Sequence, residues 1–144
     1  MNMQQEIQIQ ELANYYINKP YVLAHSDCNI ITLHFLKLLA GVPLYDQMLG
    51  RYATVTGGIR VAKKLTGHDT PLLALLHADY SKPVPLQHIT TGDIIVVQNN
   101  NHYGCMVCLG DRLLCSDAKA GISACAVDID WLVENQAKAF RVTK

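Results

Sequence analysis

The 144-residue sequence has no excess of either charge, because 12 lysine and arginine residues balance 12 aspartate and glutamate residues. Binding to nucleic acid or to an anionic membrane surface depends on an excess of basic side chains, so the balanced composition argues against both partners. Charged residues make up only 17% of the chain, whereas hydrophobic residues make up half of it. This composition excludes intrinsic disorder and supplies the side chains for one core, so we expect a single domain over residues 1–144.

The sequence also lacks segments that would direct it to a membrane or across one. Residues 1–20 have no basic start, no continuous apolar stretch and no small-residue cleavage site, so they do not form a secretory signal. No stretch approaches the roughly 20 apolar residues that span a bilayer. We therefore expect a protein made in a reducing cytoplasm, without membrane insertion.

Cysteine occurs five times, and an odd number cannot be used up by intrachain disulfides. Cys105 and Cys108 have CxxC spacing, with His102 and Cys115 nearby. In a strand, however, residues three apart point to opposite faces, so these two thiols should not converge on a metal. We predict that the four cysteines from Cys105 to Cys125 pack as small apolar side chains and that no cofactor is bound. A metal site is the alternative.

Hydrophobic spacing divides the chain into a helical half and a strand half. Apolar residues recur at helical intervals over residues 5–18, 29–40, 57–65 and 71–78. After Pro85 the pattern indicates strands over residues 93–98, 103–109, 112–116, 122–127 and 139–142, with a turn at 99–101 and one short helix near 130–135. The N-cap of that short helix is Asp128 or Asp130. Helices followed by strands predict an α+β domain, with N-terminal helices packed on an antiparallel sheet.

Cys28 stands apart from the other cysteines because it begins the most apolar helical segment. If Ser26 or Asp27 caps that helix, Cys28 lies in its first turn. There the free backbone N–H groups and the helix dipole favour a thiolate. A thiolate is the form of cysteine that attacks electrophiles. The alternative is that Cys28 is a small buried side chain, as free cysteines commonly are.

A nucleophilic cysteine needs a base within hydrogen-bond reach, and the base is usually a histidine. His34 lies on the same helix as Cys28, about 9 Å farther along its axis, which is too far for a contact. His25 is close in sequence but is expected to lie in a loop. His102 opens a strand just after a turn, so it is the candidate base. The other histidines are expected in helix ends or loops: His68, His77 and His88.

Several short motifs follow one another in a characteristic order. Asp27-Cys28 stands at the head of the apolar helix and Gly41-Val42-Pro43-Leu44 at its end, followed by Gly92-Asp93 before a strand and His102-Tyr103-Gly104 before Leu109-Gly110-Asp111. Together these features resemble the NlpC/p60 superfamily of papain-like thiol hydrolases. A phage-tail-associated subfamily is similar over nearly the whole chain, including Pro20-Tyr21, Gly50-Arg51-Tyr52 and the ending Gly121–Val142.

The resemblance implies a papain-like fold of NlpC/p60 type, with Cys28 as nucleophile and His102 as general base. The backbone N–H of Cys28 would help to stabilise the oxyanion, and Gly92-Asp93 would be structural. It further implies cleavage of bacterial cell-wall peptides by a protein of the virion tail, with other tail-tip proteins as partners.

The sequence departs from the pattern of that superfamily at the base and at the residue that orients it. His102 lies two residues farther from Gly110 than is usual there, and an alignment without a gap would put Gly104 in place of the histidine. The orienting residue is usually a second histidine. Here Cys115, Ser116 or Asp117 takes its place, and Asp117 is best suited to orient an imidazole.

These departures leave a second function open. The chain would then be a structural tail-tip or assembly protein that keeps the fold without the chemistry. Trp131 and the pair Tyr15-Tyr16 would be interface anchors in that case, although aromatic side chains also pack in cores.

Overall fold

A computed structural model of the chain describes residues 1–71, 78–99 and 102–143, without the side chains of residues 98, 99, 102 and 103. Its described helices are α1 (Met3–Tyr16), α2 (Cys28–Ala40), α3 (Leu44–Met48), α4 (Val55–Thr66) and α5 (Ile129–Glu134), with a 3-10 turn at Leu86–His88. Its described strands are β1 (Ser81–Val84), β2 (Ile94–Asn99), β3 (His102–Cys108), β4 (Arg112–Asp117), β5 (Gly121–Ala126) and β6 (Lys138–Val142).

The prediction of an α+β fold with an antiparallel sheet is confirmed. The predicted helix over residues 71–78 and the turn at 99–101 lie largely outside the described residues. Two elements were not predicted, and both carry weak sequence signals. Pro83 lowers the strand propensity of β1, which is tolerated because β1 is an edge strand. The helix α3 has only five residues and no side-chain cap.

The six strands form one sheet in the order β1-β6-β2-β3-β4-β5, and every neighbouring pair is antiparallel. β2 is buried on both faces: Ile94 and Val96 face the core beneath the helices, whereas Ile95 and Val97 belong to a second cluster with Leu132 of α5. Burial on both faces explains why β2 reads as a continuous apolar run rather than as an alternating one.

The helix α2 lies between the sheet and the other N-terminal helices. Its buried side chains are distributed around the helix: Ile30, Ile31, Thr32, Leu33, Phe35, Leu36 and Ala40. The helix ends as predicted at Gly41, which adopts a left-handed conformation with φ of 68°. No helix within the described ranges is both long and apolar enough to cross a membrane.

The sheet opens between β3 and β4 close to the start of α2. In the described part of the sheet, these two strands pair at Val107↔Leu114 and Cys108↔Leu113 only. By contrast, β4 and β5 pair along their whole length, from Arg112↔Ala126 to Asp117↔Gly121. The unpaired parts of β3 and β4 leave a gap, and the first turn of α2 packs beside it.

An ion pair ties the start of β2 to β6. Arg141 donates to both carboxylate oxygens of Asp93 at 3.0 Å, and the Thr90 N–H donates to the same carboxylate at 2.9 Å. The Asp93 side chain is only 2% exposed, so its charge depends on these partners. This arrangement gives Asp93 of the Gly92-Asp93 motif the structural role expected of it.

The Arg141→Met variant is expected to lose about 2–3 kcal/mol of unfolding free energy, because it leaves the buried Asp93 carboxylate with too few donors. Urea denaturation measures this loss. Lys37→Met is the matched control, since the Lys37–Asp46 pair is exposed and its loss should cost at most about 0.5 kcal/mol. Equal losses for the two variants would contradict the role assigned to the Asp93 pair.

Candidate functional site

The loop before α2 is held in place by its own hydrogen bonds. The Ser26 hydroxyl donates to the Pro20 carbonyl oxygen at 2.5 Å and accepts from the Val22 N–H at 3.0 Å. Ala24 is fully buried in the left-handed conformation, with φ of 66°, and its carbonyl oxygen accepts from the Gly50 N–H at 2.9 Å. Alanine adopts this backbone only where surrounding contacts fix it, so the loop presents the start of α2 in a defined position.

Asp27 is the N-cap of α2, and its buried carboxylate organises the site. One oxygen accepts from the Ile30 N–H at 2.9 Å, which caps the helix as predicted. The other oxygen accepts from the Ala24 N–H at 2.9 Å and from the Tyr52 hydroxyl. The side chain of Asp27 thereby joins the loop, the helix and the segment before α4.

Tyr52 explains two short motifs of the sequence. Its ring packs so closely on the start of α4 that a Cβ at Gly58 would lie 3.1 Å from the ring. Burial and the neighbouring Asp27 charge raise the pKa of Tyr52, so its hydroxyl keeps the proton that it donates to Asp27. The Gly50-Arg51-Tyr52 stretch thus supports Asp27, and Gly58 makes room for the tyrosine ring.

Cys28 is the first residue of α2, as the capping argument predicted, with Asp27 rather than Ser26 as the cap. It is partly exposed and lines a cleft of about 920 Å³. The cleft runs along the gap between β3 and β4, so the thiol is accessible to a ligand there.

The surroundings of Cys28 favour its thiolate. Hydrogen bonding from the Cys105 thiol lowers the pKa of Cys28 most, and the Cys105 backbone and the Ser116 side chain lower it further. Burial and the Asp27 charge oppose this shift, but the net pKa lies below that of an ordinary cysteine.

Among the β3 side chains that the structure describes, the thiol of Cys105 contacts Cys28. Its sulfur lies 2.9 Å from the carbonyl oxygen of Cys28 and 2.8 Å from the Thr32 hydroxyl oxygen, one helical turn later. Burial raises the pKa of Cys105 well above its usual value, and the adjacent Cys28 raises it further. Cys105 therefore stays protonated and donates, whereas Cys28 is the thiol that ionises.

Tyr21 completes the surroundings of the nucleophile. Burial raises the pKa of Tyr21 most, and hydrogen bonding with the Cys28 backbone lowers it by less. Tyr21 also lines the cleft. Tyr21 therefore shares the cleft with Cys28 at the start of α2.

The histidines are distributed over several parts of the fold. The backbone of His102 begins β3 opposite Asn99, but its side chain lies outside the described residues, as does all of His77. His34 is hydrogen-bonded to the Tyr16 hydroxyl at 2.7 Å, away from Cys28. His25 and His88 are exposed. His68 lies just past α4.

Asp117 lies at the end of β4 and lines the same cleft as Cys28. Its carboxylate accepts from the backbone N–H groups of Lys119 and Ala120 at 2.7 and 2.8 Å, and these bonds lower the pKa of Asp117. The side chain is exposed and shapes the turn between β4 and β5. Ser116, one residue earlier, also lines the cleft, and hydrogen bonding from its side chain contributes to the lowered pKa of Cys28.

The cleft walls combine apolar and acidic side chains. Trp131 is 46% exposed and lines the cleft together with Val55 and Ile59 of α4. Asp69 and Asp117 supply negative charge, and no lysine or arginine of the described residues lines the cleft. The walls therefore suit an extended ligand that has apolar and cationic groups.

Cys105 and Cys108 are buried and point to opposite faces as predicted, but Cys125 is exposed, so the prediction that it packs is wrong. Cys105 belongs to the core under α2, whereas Cys108 belongs to the cluster on the opposite face of the sheet. In the part of the chain that the structure describes, no three histidine, cysteine or acidic side chains converge as metal ligands. Of the two tyrosines predicted as interface anchors, Tyr16 is buried and Tyr15 is exposed.

Cys105 and Tyr21 are the site residues that the sequence reasoning missed. The sequence predicts only a packing role for Cys105. Its spacing of two from Val107 puts both side chains on the same face of β3, and this was a signal that Cys105 faces α2. The sequence signal for Tyr21 is its place in the Pro20-Tyr21 motif, which does not assign it a role.

Comparison with known families gives one match. The family model described as Domain of unknown function (DUF6950) matches residues 2–142, a range that includes every residue of the site described above. No curated protein matches the chain.

Proposed function

The chain belongs to the DUF6950 family, and we propose that it is a papain-like thiol hydrolase of NlpC/p60 type that cleaves bacterial cell-wall peptides. The observation that carries this proposal is Cys28, a thiol of lowered pKa in the first turn of α2 that opens into a cleft. This position is the one from which a helix-borne nucleophile attacks in papain-like enzymes.

In the proposed reaction the Cys28 thiolate bonds to the carbonyl carbon of the substrate, and the carbonyl π electrons move to oxygen. The resulting oxyanion would be stabilised by the Cys28 N–H and by the hydroxyl of Tyr21, which lines the same cleft as Cys28. When the carbonyl re-forms, the C–N bond breaks and the leaving amine takes a proton. Water then hydrolyses the thioester and frees the Cys28 thiol.

Proton transfer is assigned to His102, as the resemblance implies, with Asp117 as the residue that orients it. Ser116 and the Cys105 thiol support the thiolate from the sheet side. In this mechanism Ser116 and Cys105 promote ionisation of the Cys28 thiol, and His102 protonates the leaving amine.

The proposed substrate follows from the cleft walls. Cell-wall peptides carry free amino groups and short apolar side chains, which suit the acidic Asp69 and Asp117 and the apolar Trp131. We place the protein in the virion tail, made in the host cytoplasm and partnered by other tail-tip proteins. Its balanced charge fits delivery by a particle, since the composition provides no electrostatic attraction of its own.

The test uses purified bacterial cell walls and measures the free amino groups released by the full chain. Release is expected with untreated protein, and alkylation of Cys28 by iodoacetamide, checked by peptide mass, should stop it. Absence of release from several wall types with fully reduced protein would overturn the hydrolase proposal.

The second candidate function is a structural tail-tip protein without chemistry. The observation that favours it is the Cys105 thiol, which contacts Cys28 and stays protonated, so Cys105 cannot serve as the base. Under this reading a phage that carries Cys28→Ala assembles and infects normally, and only deletion of the whole domain causes a defect. Loss of infectivity with intact particles would exclude this candidate.

A further inference from the structure

Two thiols of different accessibility lie together at the start of α2. Cys28 and Cys105 line the same cleft, and the Cys105 sulfur donates its hydrogen bond to the Cys28 carbonyl oxygen at 2.9 Å. Cys28 is partly exposed to the cleft, whereas Cys105 is only 5% exposed. A small oxidant would therefore meet Cys28 first and find a second thiol directly behind it.

We propose that Cys28 and Cys105 form an oxidant-sensitive dithiol, in which a hydroperoxide oxidises Cys28 and Cys105 then closes a reversible disulfide with it. This inference goes beyond hydrolysis and does not depend on it. It assigns Cys105 a chemical role as the resolving thiol rather than a packing role alone.

Both steps balance with hydrogen peroxide as the oxidant. The Cys28 thiolate attacks one peroxide oxygen, the O–O bond breaks, and the products are a Cys28 sulfenic acid and hydroxide. The Cys105 sulfur then attacks the sulfenic sulfur, the S–O bond breaks, and the departing oxygen leaves as water with the proton of Cys105. A dithiol reductant returns both thiols. The Thr32 hydroxyl, 2.8 Å from the Cys105 sulfur, can stabilise negative charge there during the second step.

The remaining cysteines provide internal comparisons. Cys108 lies on the opposite face of the sheet and cannot reach Cys28. Cys115 and Cys125 lie on the neighbouring strands β4 and β5, and burial raises the pKa of Cys115 to about 12. Because oxidation by peroxide requires a thiolate, Cys115 should react more slowly than Cys28.

The experiment treats the reduced full chain with hydrogen peroxide and maps disulfides by mass spectrometry of a non-reduced digest. A Cys28–Cys105 link is expected to form first and to disappear with dithiothreitol. In Cys105→Ala, Cys28 should instead proceed to sulfinic acid, at least about fivefold faster than in the original protein. Cys108→Ala is the matched control on the same strand and should still form the link.

Two outcomes of this experiment would overturn the dithiol proposal. If Cys28 of the unsubstituted chain ends as sulfinic acid without a link, or pairs first with a thiol other than Cys105, the dithiol proposal is wrong. The map on the unsubstituted chain decides this even if Cys105→Ala does not fold. Because no substrate is involved, an inactive hydrolase can pass this test and an active one can fail it.

Discussion

Cys28→Ser is expected to lower the release of cell-wall peptides by at least about a thousandfold, because a serine hydroxyl is not ionised by the contacts that ionise the thiol. The change replaces the sulfur with an oxygen and leaves the Asp27 cap, the cleft and the oxyanion donors in place. Its effect should therefore fall on the chemical step rather than on substrate binding. The measurement is the rate of amine release at saturating cell wall, with the far-ultraviolet circular dichroism spectrum as a check on folding.

Cys125→Ser is the matched control for this variant. Cys125 lines the same cleft but is exposed on β5, so its replacement should leave the rate within about twofold. A Cys28→Ser protein that folds and keeps the original rate would refute the nucleophile assignment. Equal losses in both variants would indicate damage to the cleft rather than loss of the nucleophile.

Asp27→Ala is expected to cost about 3–4 kcal/mol of unfolding free energy. The alanine removes the cap of α2 and leaves the Ala24 N–H, the Ile30 N–H and the Tyr52 hydroxyl without their shared acceptor. Ala24 and Ile30 are fully buried and Tyr52 is partly buried, so leaving their donors unpaired is expensive. Urea unfolding monitored by circular dichroism measures the loss.

Two controls separate the parts of the Asp27 effect. Asp128→Ala removes an exposed N-cap from α5 and should cost only about 1 kcal/mol. Tyr52→Phe removes one of the three donors and should cost about 1 kcal/mol as well. If Asp27→Ala costs no more than Asp128→Ala, the carboxylate does not organise the loop as described.

The helix that carries the site was readable from the sequence because its signals are local. Asp27 as a cap, Gly41 as a left-handed end and the apolar residues between them depend only on neighbours along the chain. The same holds for β2, whose apolar run reports burial on both faces. The edge strand β1 was not readable, since its pairing with β6 joins residues about sixty positions apart.

The partners of Cys28 were less predictable because they depend on strand register. The residue spacing and the resemblance predict His102 and Asp117 as partners of Cys28. The position of the His102 imidazole stays a prediction. Asp117 lies in the cleft, but its carboxylate is used by the turn after β4. Cys105 and Ser116 meet Cys28 through the gap between β3 and β4, a feature that no periodicity of the sequence encodes.

The most direct test of the account is the pH dependence of alkylation at Cys28. Iodoacetamide reacts with the reduced full chain at a series of pH values, and the modified Cys28 peptide is quantified by mass. The account predicts a half-maximal rate at a pH below the value of about 8.5 for a free cysteine, with Ser116→Ala moving it upward through loss of a hydrogen bond to the sulfur. A midpoint at or above that of a free cysteine, unchanged by Ser116→Ala, would contradict the claim that this fold activates Cys28.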